Sequence, residues 1–153
     1  MQTKASTGWL ALILLGWTLA VANCQSVRIP TPNGFAEWQH TADYAAASPD
    51  AVQLRVRSVE NQPKASLEVL SQTARLHFES IGYGIKRSEP IQTVNGLAGY
   101  LFVTSVQTMQ GEYRYLTAFF PDEDTVKIVE AAGSADAFAK YEGDIILKIR
   151  GLE

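Results

Sequence analysis

Apolar and polar positions alternate most regularly from Ala51 to Val59. Val52, Leu54 and Val56 fall on one side of that stretch, and Gln53, Arg55 and Arg57 fall on the other. Successive side chains of a strand point to opposite faces, so the pattern predicts a strand with one buried and one wet face. Two shorter strands are expected before it, at Phe35 to His40 and Tyr44 to Ala47, the second closed by a turn at Ser48-Pro49-Asp50. Asn61-Gln62-Pro63 breaks the alternation. A period near 3.6 then takes over, with Leu67, Leu70, Ala74, Phe78 and Ile81 forming one stripe. This predicts a helix over Ala65 to Ile81, capped by Ser66 and ended by Gly82.

The second half returns to strands. Gly84 to Glu89 reads as a polar strand ended by Pro90, and Asn95-Gly96 as a tight turn. Ala98 to Thr108 and Tyr113 to Phe120 form a hairpin around Gln110-Gly111. Both are apolar on both faces, which marks central strands covered on each side. Pro121 to Asp124 is an acidic turn. Thr125 to Ala132 is a further strand with Gly133 at its end. Phe138, Tyr141, Ile145 and Ile149 stripe a last helix over Ala135 to Ile149, with Ser134 or Asp136 as cap. The expected fold is α+β: a central, mainly antiparallel sheet with one helix packed on each face.

Several of these stretches carry a family resemblance. They are Asn95-Gly96-Leu97-Ala98-Gly99-Tyr100, Tyr115-Leu116-Thr117-Ala118-Phe119-Phe120, the strand Val126 to Gly133, and the terminal helix with Ile145 and Ile149. Together they resemble the Mog1/PsbP-like α/β/α sandwich family, which has bacterial lipoprotein members of unknown role. The resemblance covers most of the chain after the leader, in order of elements. It implies a binding or assembly role rather than catalysis.

The N-terminus follows a different logic. Lys4 precedes an uncharged run from Gly8 to Ala22 that is rich in Leu, Ile and Trp. At about 15 residues the run is shorter than the roughly 20 a spanning helix needs, and it has the layout of a secretory signal peptide. Two processing sites compete. Ala20-Val21-Ala22 fits ordinary signal peptidase. Val21-Ala22-Asn23-Cys24 resembles a lipobox, with Asn23 in place of the usual small residue; Cys24 would then carry the lipid. The chain divides into a signal peptide at 1–23, a tether at 24–33 and one domain at 34–153. The expectation is an exported lipoprotein on the periplasmic face of a bacterial membrane, the outer membrane in a Gram-negative cell. The alternative is a soluble secreted or periplasmic protein.

Charge and chemistry narrow the function further. The net charge of −3 gives no basic excess for nucleic acid. One cysteine among 153 residues excludes an intrachain disulfide and a multi-cysteine zinc site. No nucleophile elbow, zinc-protease motif, phosphate loop or calcium-loop spacing occurs, and no metal or cofactor is expected. Two histidines are present. His77 reads as a boundary residue of the first helix, and His40 with Asp43 as a weak metal contact at most. Asp122-Glu123-Asp124 reads as a solvated turn. Glu130, inside an apolar strand, is expected either to pair with Arg114 or Arg75 or to line a pocket. Arg55 and Arg57 join Lys86 and Arg87 in a basic patch if their strands are neighbours. Glu130, Arg55 and Arg57 are thus the candidate ligand-binding residues, with no catalytic residue assigned. The leading expectation is a non-enzymatic binding or assembly protein with a protein partner in the envelope. A small-ligand carrier with a pocket between sheet and helix comes second, and an enzyme using Glu130 and a histidine comes last.

Overall fold

Among the described residues, seven strands form one sheet with a helix on each face. The structure is a computed structural model that describes residues 27–39 and 44–153. The leader, Cys24, His40 and Asp43 lie outside the described residues. In chain order the elements are β1 (Ala36–Gln39), β2 (Tyr44–Ala47), β3 (Gln53–Glu60), α1 (Leu67–Ser80), β4 (Gly84–Gln92), β5 (Ala98–Thr108), β6 (Gly111–Pro121), β7 (Thr125–Ser134) and α2 (Ala135–Ile149). The sheet order is β1-β2-β3-β7-β6-β5-β4, and every neighbouring pair is antiparallel. This is the expected α+β sandwich.

The two-residue alternation of the strands builds two unequal cores. Leu54, Val56, Leu101, Val103, Leu116, Ala118, Phe120 and Val129 share one face and are fully buried beneath Phe138, Ile145 and Ile149 of α2. On the opposite face Phe102, Phe119 and Val126 are buried beneath Leu67, Leu70, Ala74 and Phe78 of α1. These stripes are the ones the periodicity predicts, except that Ile81 caps the C-terminus of α1 and is 47% exposed. No residue of α1 is itself fully buried, so this second layer is shallow. The Ser66 hydroxyl accepts from Val69 N–H at 3.3 Å, as an N-cap should. At α2 the expected cap is absent: Ser134 occupies the position but makes no side-chain cap bond.

Two strands run on past residues that the sequence reading takes as their ends. β4 runs through Pro90 to Gln92 instead of stopping. It is an edge strand, where a residue without an N–H is tolerated if its nitrogen faces outward. β7 runs through Gly133 to Ser134. A Cβ at Gly133 would lie 2.8 Å from Val52 Cγ2, so the glycine permits a close approach within the sheet.

The segment from Val27 to Asn33, expected to belong to the tether, lies against the end of α2. Arg28 and Glu153 exchange two backbone hydrogen bonds, at 3.4 and 3.0 Å. Ile29 and Leu152 are both buried. Asn33 N–H donates to Asp144 Oδ2 at 2.7 Å, and the Phe35 ring meets the Tyr141 ring edge-on at 5.3 Å. Residues 27–35 therefore run from the C-terminal end of α2 back along that helix into β1.

Candidate functional site

Among the described residues, helix α1 packs on β4 and β5 and leaves the β1–β2–β3 side of its own sheet face open. The strand registers set out a row across that face: Trp38, Ala45, Arg55, Glu130, Thr117 and Phe102. Phe102 lies under the helix, its ring 5.4 Å from that of Phe78. Trp38 stands at the far end, 43% exposed. Between them is an open groove of about 400 Å³ lined by Trp38, Ala45, Arg55, Tyr115, Thr117 and Glu130. A second hollow of about 420 Å³ runs along the flank of α1, past Arg57, Asn61, Leu70, His77 and Phe119. Thr117 and Glu130 line both, so the two meet at Glu130.

Glu130 is held by a fork. Arg57 Nε donates to its Oε2 at 3.0 Å and Arg57 Nη2 to its Oε1 at 3.3 Å, a two-point geometry that fixes orientation as well as charge. Arg55 stands directly opposite Glu130 in the register, and Arg57 opposite Ile128, one pleat along. Arg57 is therefore a diagonal neighbour on the same face, within reach of a long side chain. The two side chains are 30% and 39% exposed, so water still reaches the pair.

This corrects the expected partners. Arg114 belongs to the other face of β6, where it meets Glu142 of α2 at 3.6 Å. Arg75 donates to the Ser88 hydroxyl at 2.9 Å and lies over the Phe102 ring. The expected basic patch does not form either. Three strands separate β3 from β4. Arg87 pairs with Glu89 at 2.6 Å and approaches Glu142 at 3.9 Å, while Lys86 pairs with Glu112 at 3.5 Å. Of the four cations, Arg55 lines the groove and Arg57 the α1 hollow, while Lys86 and Arg87 line neither.

Aromatics continue the groove wall. The Tyr115 ring lies 5.3 Å from Tyr83 and 5.6 Å from Tyr113. Burial raises the Tyr115 phenol above its ordinary value of 10.0, and a hydrogen bond with Tyr83 adds to the shift. Phe119 and Phe120 are core, as expected, but Tyr113 and Tyr115 are only half-buried. His77 is exposed and lines the α1 hollow with Glu130, whose carboxylate is already taken by Arg57. The Asp122-Glu123-Asp124 turn is exposed, with Asp124 3.6 Å from Lys64. Among the described residues no group of three or more His, Cys, Asp or Glu side chains could hold a metal ion.

The sequence reading singled out Glu130, Arg55 and Arg57, which the structure places along the two hollows; Trp38, Ala45 and Thr117, which also line them, it did not single out. Nothing local marks those three, because they converge only once β7 is placed between β3 and β6.

No family model matches the chain, and no curated protein does. Solved structures do. CyanoP, the cyanobacterial PsbP of Synechocystis sp. PCC 6803, superposes with a TM-score of 0.60 at 14% identity, covering 91% of this chain and 98% of its own. PA94 of Pseudomonas aeruginosa, a protein of unknown function described as a candidate regulator, gives a TM-score of 0.60 at 14% identity, covering 84% of this chain and 83% of its own. The protein has a PsbP-like fold. Among the described residues no helix is long and apolar enough to cross a membrane.

Proposed function

We propose that the chain is a non-enzymatic binding or assembly protein of the cell envelope, exported by its N-terminal signal and held at a membrane by lipid on Cys24. The open half of the α1 face carries this reading. It joins an exposed Trp38, the half-buried Tyr115 and the Arg57–Glu130 fork into one concave surface. A carboxylate held in a two-point ion pair serves recognition better than proton transfer, which needs a carboxylate free to take and return a proton. The PsbP-like fold adds support, since it is shared with a cyanobacterial PsbP and with a protein described as a candidate regulator.

The expected occupant is a protein partner in the envelope. Thr117→Arg fills the junction of the two hollows, and photocrosslinking from Trp38 in intact cells reads the contact. A discrete adduct that Thr117→Arg abolishes supports the reading; an adduct indifferent to that change removes the groove from it. Anchoring is read separately by labelling with palmitate, lost in Cys24→Ser. Cleavage after Ala22 instead would leave the same domain soluble.

A second reading has its own observation. Each hollow, at about 400 Å³, has the volume of a small-molecule site, so a ligand carrier fits the same face. Native mass spectrometry of the protein isolated from its own cells separates the two, because a carrier retains a small-molecule adduct.

A further inference from the structure

Val27 packs against the core, so an acyl anchor on Cys24 would lie within three residue steps of the fold. Three residues reach about 10 Å at full extension. Resting on the lipid-anchored reading above, we infer that the C-terminal end of α2 and the β4–β5 turn form a surface that lies on the phospholipid headgroups of the anchoring bilayer.

Several contacts gather that surface. Val27 packs against the main core beside the Arg28–Glu153 backbone pair. Val94 N–H donates to Arg150 O at 2.7 Å, which brings the β4–β5 turn to the same end of α2. Val94 is 77% exposed at the tip of that turn. Leu147, one helical turn before Arg150 on the surface of α2, is 61% exposed. Two large apolar side chains in water thus flank the point where the anchor would arrive, with the cations Arg28, Lys148 and Arg150 close by. An apolar side chain at the tip of a turn gains by entering the headgroup layer, and cationic neighbours suit lipid phosphates.

Charge alone does not drive the contact. Arg28 is paired with Glu37 at 3.0 Å. Glu153 is part of the surface, and the antiparallel register puts the Asp122-Glu123-Asp124 turn at the same end of the sheet. The tether therefore sets the orientation and the apolar contacts hold it. Consequently it requires no anionic lipid and survives high salt. The opposite end of the sheet, with fully exposed Met109 in the β5–β6 turn, stands away from the bilayer by the length of β5. That strand has 11 residues, or about 35 Å.

Tryptophan emission tests this, because Trp38 is the single tryptophan after Cys24. The full chain is expressed with its leader in two versions, Trp38→Phe with Val94→Trp and Trp38→Phe with Met109→Trp. Each is placed in zwitterionic vesicles containing lipids brominated near the headgroup. The expected result is several-fold stronger quenching of the Val94→Trp version, unchanged by high salt. Equal quenching at both positions, or stronger quenching of the Met109→Trp version, overturns the orientation. Mass spectrometry of the same preparations reads acylation of Cys24 independently. Should the exported chain prove unacylated, anchoring fails by that measurement, and coupling the free Cys24 thiol to a maleimide lipid still decides the surface by the same comparison.

Discussion

Two glycines test the packing in opposite directions. Gly99 lies in β5 against a filled core: a Cβ there would collide with the Phe120 ring and come within 2.8 Å of Phe119 O. Phe120 is fully buried, and the strand carrying that carbonyl is hydrogen-bonded to neighbours on both sides. Neither can retreat cheaply. Overpacking of this kind costs about 1–3 kcal/mol, and contact with backbone puts Gly99→Ala in the upper part, near 2 kcal/mol after the smaller gain from a stiffer unfolded chain. Gly143 is the reverse case. It sits inside α2 with nothing within 4 Å of where a Cβ would go. Gly143→Ala should therefore stabilise by roughly 0.5–1 kcal/mol. For a domain of this size 1 kcal/mol moves Tm by roughly 3–5 °C, so the two variants should melt on opposite sides of the parent, about 6–10 °C below and about 2–5 °C above. Urea unfolding followed by circular dichroism gives the free energies directly, with an unchanged slope expected for both. A Gly99→Ala protein as stable as the parent would refute the packing of β5 on β6 described above.

A double-mutant cycle on Arg57→Ala and Glu130→Ala should return a coupling of about 0.5–1 kcal/mol that shrinks as salt rises, because both side chains are partly solvated; a salt-independent coupling of several kcal/mol would mean a dry pair and a closed groove. The raised Tyr115 phenol makes a pH prediction. The folded state holds that proton more tightly than the unfolded chain, so its contribution is fully present below the ordinary value of 10.0 and is lost as pH climbs through the higher folded value. Tyr115→Phe should thus flatten the alkaline fall in stability, measured by urea midpoints across that range, and an unchanged fall would exclude Tyr115 as its source.

Element types were legible in the chain because they depend on local periods. The two-residue alternation of β3 and the 3.6-residue stripes of α1 and α2 each name the buried face without reference to anything distant. The two-sided apolar character of β5 and β6 went one step further and required a layer on each face. Both stripes, the Ser66 cap and the antiparallel sheet follow from those signals. The proposals of export and of a lipid on Cys24 rest on the leader alone. Which residues meet across the sheet is another matter. Glu130 could be singled out as an unusual carboxylate in an apolar strand, yet its partner is set by β7 lying beside β3, a pairing of segments some seventy residues apart. The same order parts Arg55 and Arg57 from Lys86 and Arg87 and brings Trp38 and Thr117 to one groove. Pro90 and Gly133 were misread for a related reason: whether proline ends a strand depends on its being at an edge, and what a glycine is for depends on what approaches it. Most of all, only the folded chain shows residues 27–33 laid against α2, which brings the fold to within three residues of Cys24. Local sequence selects φ, ψ and the buried face, whereas strand order and docking are chosen by the free energy of the whole assembled core.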